Sequence, residues 1–234
     1  YQWTDNYIGI FGVHEHNASF GTFNLTNGAH YWPPNAGNPY YILDLLEELD
    51  EPGEYFIDRS SGVLFFWPPS NTGELVELST CCFSATEGIG VPLVSAVNLS
   101  HFQLANVSLG PGRGSAFSCI NCTDVALAGC SVGNFNGAGT EIVNGSGVSI
   151  ARSVFRGLGQ TAVTMVGGDR ETLQPSNHSI TDCDIGYWAR WQLTGAPGVK
   201  IGGVRVLVAH NEIHHAPHHA LEVSGNNHQI VNNH

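Results

Sequence analysis

The chain has 234 residues, of which only 12% are charged and 29 are Gly, a balance that excludes a coiled coil, an exposed helical array and a typical disordered segment. Lys and Arg number 8 against 20 Asp and Glu, so the net charge is −12, the wrong sign for gripping a phosphate backbone. No apolar run approaches the ~20 residues of a membrane-spanning helix, so neither nucleic acid nor a membrane span is expected.

Residues 1–75 carry no repeat and are expected to form an N-terminal α+β elaboration capping the rest. From Tyr41 to Asp50, Ile42, Leu45, Leu46 and Leu49 share one helical face, and Pro52-Gly53 would stop that helix. Two strand-like runs follow, Glu54 to Ile57 and Val63 to Trp67, joined by a polar segment ending in Gly62, which reads as a hairpin.

Residues 76–234 are dominated by a repeat. Octets beginning at Phe102, Val125, Val148, His178, Val206 and His228 align column by column. The third column reads Leu104, Leu127, Ile150, Ile180, Val208, Ile230, and the eighth reads Leu109, Val132, Phe155, Ile185, Ile213. Between them the fifth column (Asn106, Gly129, Arg152, Asp182, His210, Asn232) marks a corner where the period-two alternation slips. A third strand follows each octet, at Ala116-Phe117, Glu141-Ile142, Ala162-Val163, Gly198-Val199 and Ala220-Leu221. Three short strands in each repeat predict an all-β fold, a right-handed parallel β-helix whose apolar columns stack in its interior. The sixth column (Val107, Cys130, Ser153, Cys183, Asn211, Asn233) would rise through the interior as small or hydrogen-bonding side chains. The chain opens at Tyr1 and stops at His234 in mid-coil, so it reads as a piece of a longer protein.

Six cysteines are too sparse for a disulfide scaffold. Cys130 and Cys183 lie two coils apart, about 9.6 Å at regular strand spacing, too far to bridge. Cys119-x-x-Cys122 lacks a second pair at zinc spacing, and no βαβ pattern surrounds it, so neither metal nor redox chemistry is assigned to it. Asn-x-Ser/Thr sequons begin at Asn17, Asn24, Asn98, Asn106, Asn121, Asn144 and Asn177, well above chance, which makes a secreted or extracellular glycoprotein the expected setting.

The run LEELDEPGEYFIDRSSGVLFFWP from Leu46 to Pro68, then Gly167-Gly-Asp-Arg170, then Ala209-His-Asn-Glu-Ile-His-His-Ala-Pro-His218 and Gly225-Asn-Asn-His228, resemble the right-handed parallel β-helix repeat proteins assigned to polysaccharide processing. The resemblance implies an extracellular carbohydrate-active enzyme, most similar to β-helix glycoside hydrolases acting on fucosyl or xylosyl polymers. Relatives commonly carry Asp where this chain has His215.

Candidate chemistry follows from the looped face. The third strand shows an outward column of Ser118, Val143, Thr164, Lys200 and Glu222, flanked by long loops only in the later coils, and a polysaccharide would lie along the groove they form. Glycoside cleavage needs two carboxyl groups, for which Glu222 and Asp169 are the candidates, with His218 or His219 within reach. Against these readings stand a surface ion pair of Glu222 with Lys200 and a loop-closing hydrogen bond at Asp169. Asp184 and Glu212 also stack on neighbouring coils, but they project away from the looped face and are read as solvated. Substrate contacts are expected from Arg170, Trp188, Arg190, Trp191, Lys200, His214, His215 and His228, the Trp residues by sugar stacking and Arg190 on an anionic substituent, with packing of their long loop against the helix as an equal alternative for Trp188, Arg190 and Trp191. Four His in one loop are weak grounds for a metal, and no cofactor is assigned. A non-catalytic carbohydrate-binding protein would use the same groove; the fold also hosts epimerases and lyases, and a lyase would want a Lys, Arg or Tyr base and usually calcium near acidic groups, which only Lys200 offers.

Overall fold

The computed structural model describes residues 8–17, 20–25, 37, 39–69, 76–81 and 90–234. Cys82 and the side chain of the sequon residue Asn17 lie outside the described residues. The chain divides into two compact units, one within Asn6–Val76 and one within Glu77–His234.

In the smaller unit β1 (Ile10–Asn17) and β2 (Phe20–Leu25) pair antiparallel, a hairpin that the alternation did not signal. The helix expected over Tyr41 to Asp50 does not form. Only one 3₁₀ turn, Leu46–Glu48, is present, after Asp44 at φ 61° and Leu45 in an extended conformation. Ile42 and Leu49 are half-buried but Leu45 and Leu46 stay exposed, so the apolar face is only partly covered, and a helix this short does not propagate without tertiary packing. The second hairpin does form, as β3 (Tyr55–Asp58) and β4 (Val63–Phe66). Asp58 closes its turn by accepting hydrogen bonds from the Ser60 N–H at 2.9 Å and from the Ser60 and Ser61 hydroxyls. Those hydroxyls, Ser61 first, bring the Asp58 carboxyl down to about 2.

The larger unit is a parallel β-helix of three-stranded coils. The first coil contains β5 (Val94–Val97), β6 (Ser100–Ala105) and β7 (Ser108–Leu109), and the second β8 (Phe117–Ile120), β9 (Thr123–Ala128) and β10 (Ser131–Gly133). Next come β11 (Thr140–Val143), β12 (Ser149–Ala151) and β13 (Val154–Arg156), then β14 (Val163–Gly167), β15 (Ser179–Thr181) and β16 (Asp184–Gly186). The last strands are β17 (Val199–Gly203), β18 (Leu207–Ala209), β19 (Glu212–His214), β20 (Leu221–Val223) and β21 (Gln229–Val231). Three parallel sheets result, with orders β5-β8-β11-β14-β17-β20, β6-β9-β12-β15-β18-β21 and β7-β10-β13-β16-β19.

The third octet column stacks in register from Leu104 through Leu127, Ile150, Ile180 and Val208 to Ile230. Its four central members are wholly buried, whereas Ile230 on the edge strand β21 is 45% exposed. The sixth column rises inside as a ladder. Cys130 N–H donates to Ser153 Oγ, Cys183 N–H to Asn211 Oδ1 and Asn211 N–H to Asn233 Oδ1, each at 3.0 Å.

Corners are set by left-handed backbone. The fifth-column residues Asn106, Gly129, Arg152, Asp182, His210 and Asn232 all have φ between 49° and 63°. A preceding corner, not foreseen, holds Asn98, Asn121, Asn144 and Asn177 at φ 52° to 59°. Asn adopts this conformation more readily than most residues. Five sequon residues, Asn98, Asn106, Asn121, Asn144 and Asn177, are therefore also exposed corner residues, which accounts for their abundance by local geometry.

Cys119, Cys122, Cys130 and Cys183 form no disulfide. Burial, with Cys122 beside it, pushes Cys119 up to about 12, and burial pushes Cys183 up to about 11. In the native protein these two thiols are expected to resist alkylation by iodoacetamide at pH 8 and to react once urea unfolds the chain; equal labelling in both states would contradict their placement.

Candidate functional site

Register defines the outward face of the β5-to-β20 sheet. Ser118, Glu141, Thr164, Lys200 and Glu222 fall in one column. Glu141 thus replaces Val143, which aligns instead with Ile120 and Val166. Both Glu141 and Val143 point outward from β11, and period-two alternation cannot choose between positions two residues apart. Beside the polar column runs an apolar one, Val97, Ile120 and Val143, with all three side chains exposed.

At one end of the polar column Lys200 Nζ and Glu222 Oε1 form an ion pair at 2.8 Å, with the side chains 43% and 39% exposed. Asp169 does not meet Glu222. It follows Gly168, at φ 82°, and accepts the Glu171 N–H at 2.9 Å. That bond, joined by the Thr172 hydroxyl, holds its carboxyl below the usual range. Gly167 stands level with Gly203, whose carbonyl accepts the Asn226 N–H, so Gly167 lies about two strand spacings across and three residues along from Glu222, a backbone separation of roughly 14 Å. Asp169 is two residues further along. The carboxyl pair expected for glycoside cleavage is therefore not assembled, because each member is held by a local partner.

Other candidates are distributed by packing. Trp188 is 2% exposed and donates its indole N–H to the Ala196 carbonyl at 3.0 Å, so its faces belong to the core and it cannot stack a sugar. Trp191 donates to the Asn136 carbonyl at 2.8 Å and keeps 38% exposure. Arg190 reaches the Gly157 carbonyl and Arg170 the Asn226 side chain, both at 3.3 Å. His228 is structural: its Nδ1 accepts the Val206 N–H at 3.1 Å and its Nε2 donates to the Ser224 carbonyl at 2.9 Å. His178, in the same octet column, accepts the Val148 N–H in the same way. His218 and His219 stack with centroids 3.6 Å apart in the exposed segment between β19 and β20, and His218 Nδ1 accepts the Gly195 N–H at 3.4 Å.

A further polar constellation lies elsewhere, at the ends of β13, β16 and β19. Asp184 Oδ1 bonds His214 Nε2 at 3.0 Å, and Asp184 Oδ2 accepts from Arg156 Nη2 at 2.7 Å. Partial burial raises the Asp184 carboxyl, but the hydrogen bonds from His214 and Arg156 outweigh it and leave it below the usual range. His214 and His215 contact each other through their Nδ1 atoms. The His215 ring stacks on Tyr187 at 4.3 Å, and the Arg156 guanidinium lies 5.7 Å from the Tyr187 centroid. Asp184 is thus bonded on both oxygens rather than merely solvated, while its register partner Glu212 is exposed. Sequence reading named His214 and His215 but missed Arg156 and Tyr187 and set Asp184 aside.

Among the described residues no group of three or more His, Cys, Asp or Glu is arranged to hold a metal ion, and no helix is long and apolar enough to cross a membrane. No family model, curated protein or solved structure matches the chain.

Proposed function

We propose that this chain belongs to an extracellular carbohydrate-active β-helix protein that binds a polysaccharide across the β5-to-β20 sheet and hydrolyses it, with Glu222 as the carboxylate at the reacting end. The observation that carries the reading is the pairing of two outward columns. Glu141, Thr164, Lys200 and Glu222, on β11 to β20, offer charges and a hydroxyl, while Val97, Ile120 and Val143, two residues further along their strands on β5 to β11, offer apolar contact, the two columns meeting side by side on β11. A sugar chain presents both surfaces, hydroxyl edges and C–H faces, so a ridge of each kind at strand spacing suits it. Lys200 Nζ pairs with Glu222 Oε1 at 2.8 Å, an arrangement that suits the nucleophile or base of the reaction better than its general acid. The resemblance to polysaccharide-processing β-helices agrees with this reading.

The experiment is a polysaccharide panel assayed for new reducing ends, followed by Glu222→Gln on the substrate found. Loss of a catalytic carboxylate is expected to lower kcat by about 100-fold or more. Unchanged turnover would make Glu222 a surface ion-pair residue and remove it from the mechanism.

A further inference from the structure

Three bonds order the protons around Asp184. An ionised carboxylate accepts, so His214 donates from Nε2 and its Nδ1 keeps a lone pair. That lone pair accepts the Nδ1 proton of His215, which leaves the basic lone pair on the exposed His215 Nε2. A proton taken up at this nitrogen is balanced by Asp184 at the far end of the chain of bonds.

The corner that carries this group is unusual. In the two earlier coils the equivalent left-handed position is held by Asn134 and Gly157, residues suited to it. In the next two it is held by Tyr187 and His215, both at φ 55°, with their rings stacked on each other. Bulky side chains are disfavoured there, so the corner holds strain that plain turn formation does not call for. Just before this corner Gly186 leaves room for the imidazole above it, because a Cβ there would sit 2.6 Å from His214 Cε1.

We propose that Asp184, His214 and His215 form a proton relay ending at His215 Nε2, and that this relay, with Arg156 and Tyr187, is a general-base site for uronate units of an acidic polysaccharide. The inference rests on a polysaccharide ligand but not on the role of Glu222. Arg156, whose guanidinium is half exposed, pairs with the sugar carboxylate and thereby acidifies the adjacent C5–H. His215 Nε2 takes that proton. The C–H electron pair becomes the C4=C5 bond as the C4–O bond breaks, and the Tyr187 hydroxyl protonates the departing oxygen. The resulting phenolate recovers a proton from the His215 imidazolium against which it stacks, so the step needs no oxidant, reductant or added co-reactant. His215, Arg156 and Tyr187 touch the substrate; His214 and Asp184 are positioning residues. The charged and titratable groups around the relay include Arg156 on β13, Arg190 at the Gly157 carbonyl, Asp184 and Tyr187 on and after β16, Glu212 on β19, and His234, whose carbonyl accepts the Ile213 N–H.

The test incubates the intact chain with polygalacturonate, polyglucuronate and neutral xylan, reading the ultraviolet absorbance of the unsaturated product together with reducing ends. Absorbance is expected with a polyuronide and not with xylan. His215→Gln, at an exposed position, is expected to remove at least 100-fold of that rate with the fold retained by circular dichroism. Asp184→Asn is expected to lower kcat more than it changes KM and to move the acidic limb of the pH–rate profile to lower pH, since the imidazoles lose their counter-charge. Reducing ends without absorbance, abolished by Glu222→Gln, would leave the hydrolase reading standing and overturn this one. It is equally overturned if His215→Gln turns over uronides unchanged, or if no polyuronide is bound or converted.

Discussion

Replacing Asn211 by Leu is expected to lower the free energy of unfolding by about 3 kcal/mol or more, an effect set by buried groups left unpaired. Asn211 is 1% exposed and serves three directions at once. Its Oδ1 accepts the Cys183 N–H at 3.0 Å, while its Nδ2 donates to the Ile180 carbonyl at 3.1 Å and to Asn233 Oδ1 at 2.9 Å. Leu has similar volume, so little of the loss comes from a cavity; it comes from a buried N–H and a buried carbonyl deprived of partners. Urea unfolding monitored by circular dichroism measures it. A loss below about 1 kcal/mol would mean that the ladder is dispensable, and a double-mutant cycle with Asn233 would show whether the two rungs are coupled.

Stability is also expected to fall on acidification because of His178. The side chain is buried, and its Nδ1 accepts the Val148 N–H at 3.1 Å, an arrangement that requires a neutral ring. Burial brings it down from 6.5 to about 4. Above pH 6.5 the ring is neutral in both folded and unfolded chains, and its contribution is complete. Between about 6.5 and 4 the unfolded chain takes up a proton that the folded one does not, so stability declines, by on the order of 3 kcal/mol when the window is crossed. Below about 4 this loss is complete. His178→Gln is expected to flatten that limb, and an identical pH dependence in the variant would contradict the assignment.

The repeat was legible because an interior column must offer the same chemistry in every coil. Leu104, Leu127, Ile150, Ile180, Val208 and Ile230 obey that demand, and so do the hydrogen-bonding residues of the sixth column. Corner residues were half legible: the fifth column was read as a bend, while Asn98, Asn121 and Asn144 were read only as sequons although the same left-handed geometry holds them. The site was less legible for a physical reason. Arg156, Asp184 and His214 come from three successive coils, and their contacts depend on side-chain direction that spacing alone does not specify. Sequence leaves Trp188 equally open to sugar stacking and to packing of its long loop, and the structure shows the second: the loop folds back so that the Ala196 carbonyl accepts the indole N–H inside the core. Tyr41 to Asp50 has the right period for a helix, but Leu45 and Leu46 of its apolar face stay exposed.

The central claim, that the β5-to-β20 face receives a polysaccharide, is tested most directly by mapping amide and methyl chemical shifts of the isotope-labelled chain during titration with oligosaccharides from the panel. Shifts are expected to cluster on Ile120, Glu141, Val143, Thr164, Lys200 and Glu222, with the interior Ile150 and Ile180 unmoved. No shift with any oligosaccharide, or shifts confined to the β6-to-β21 sheet, would contradict it.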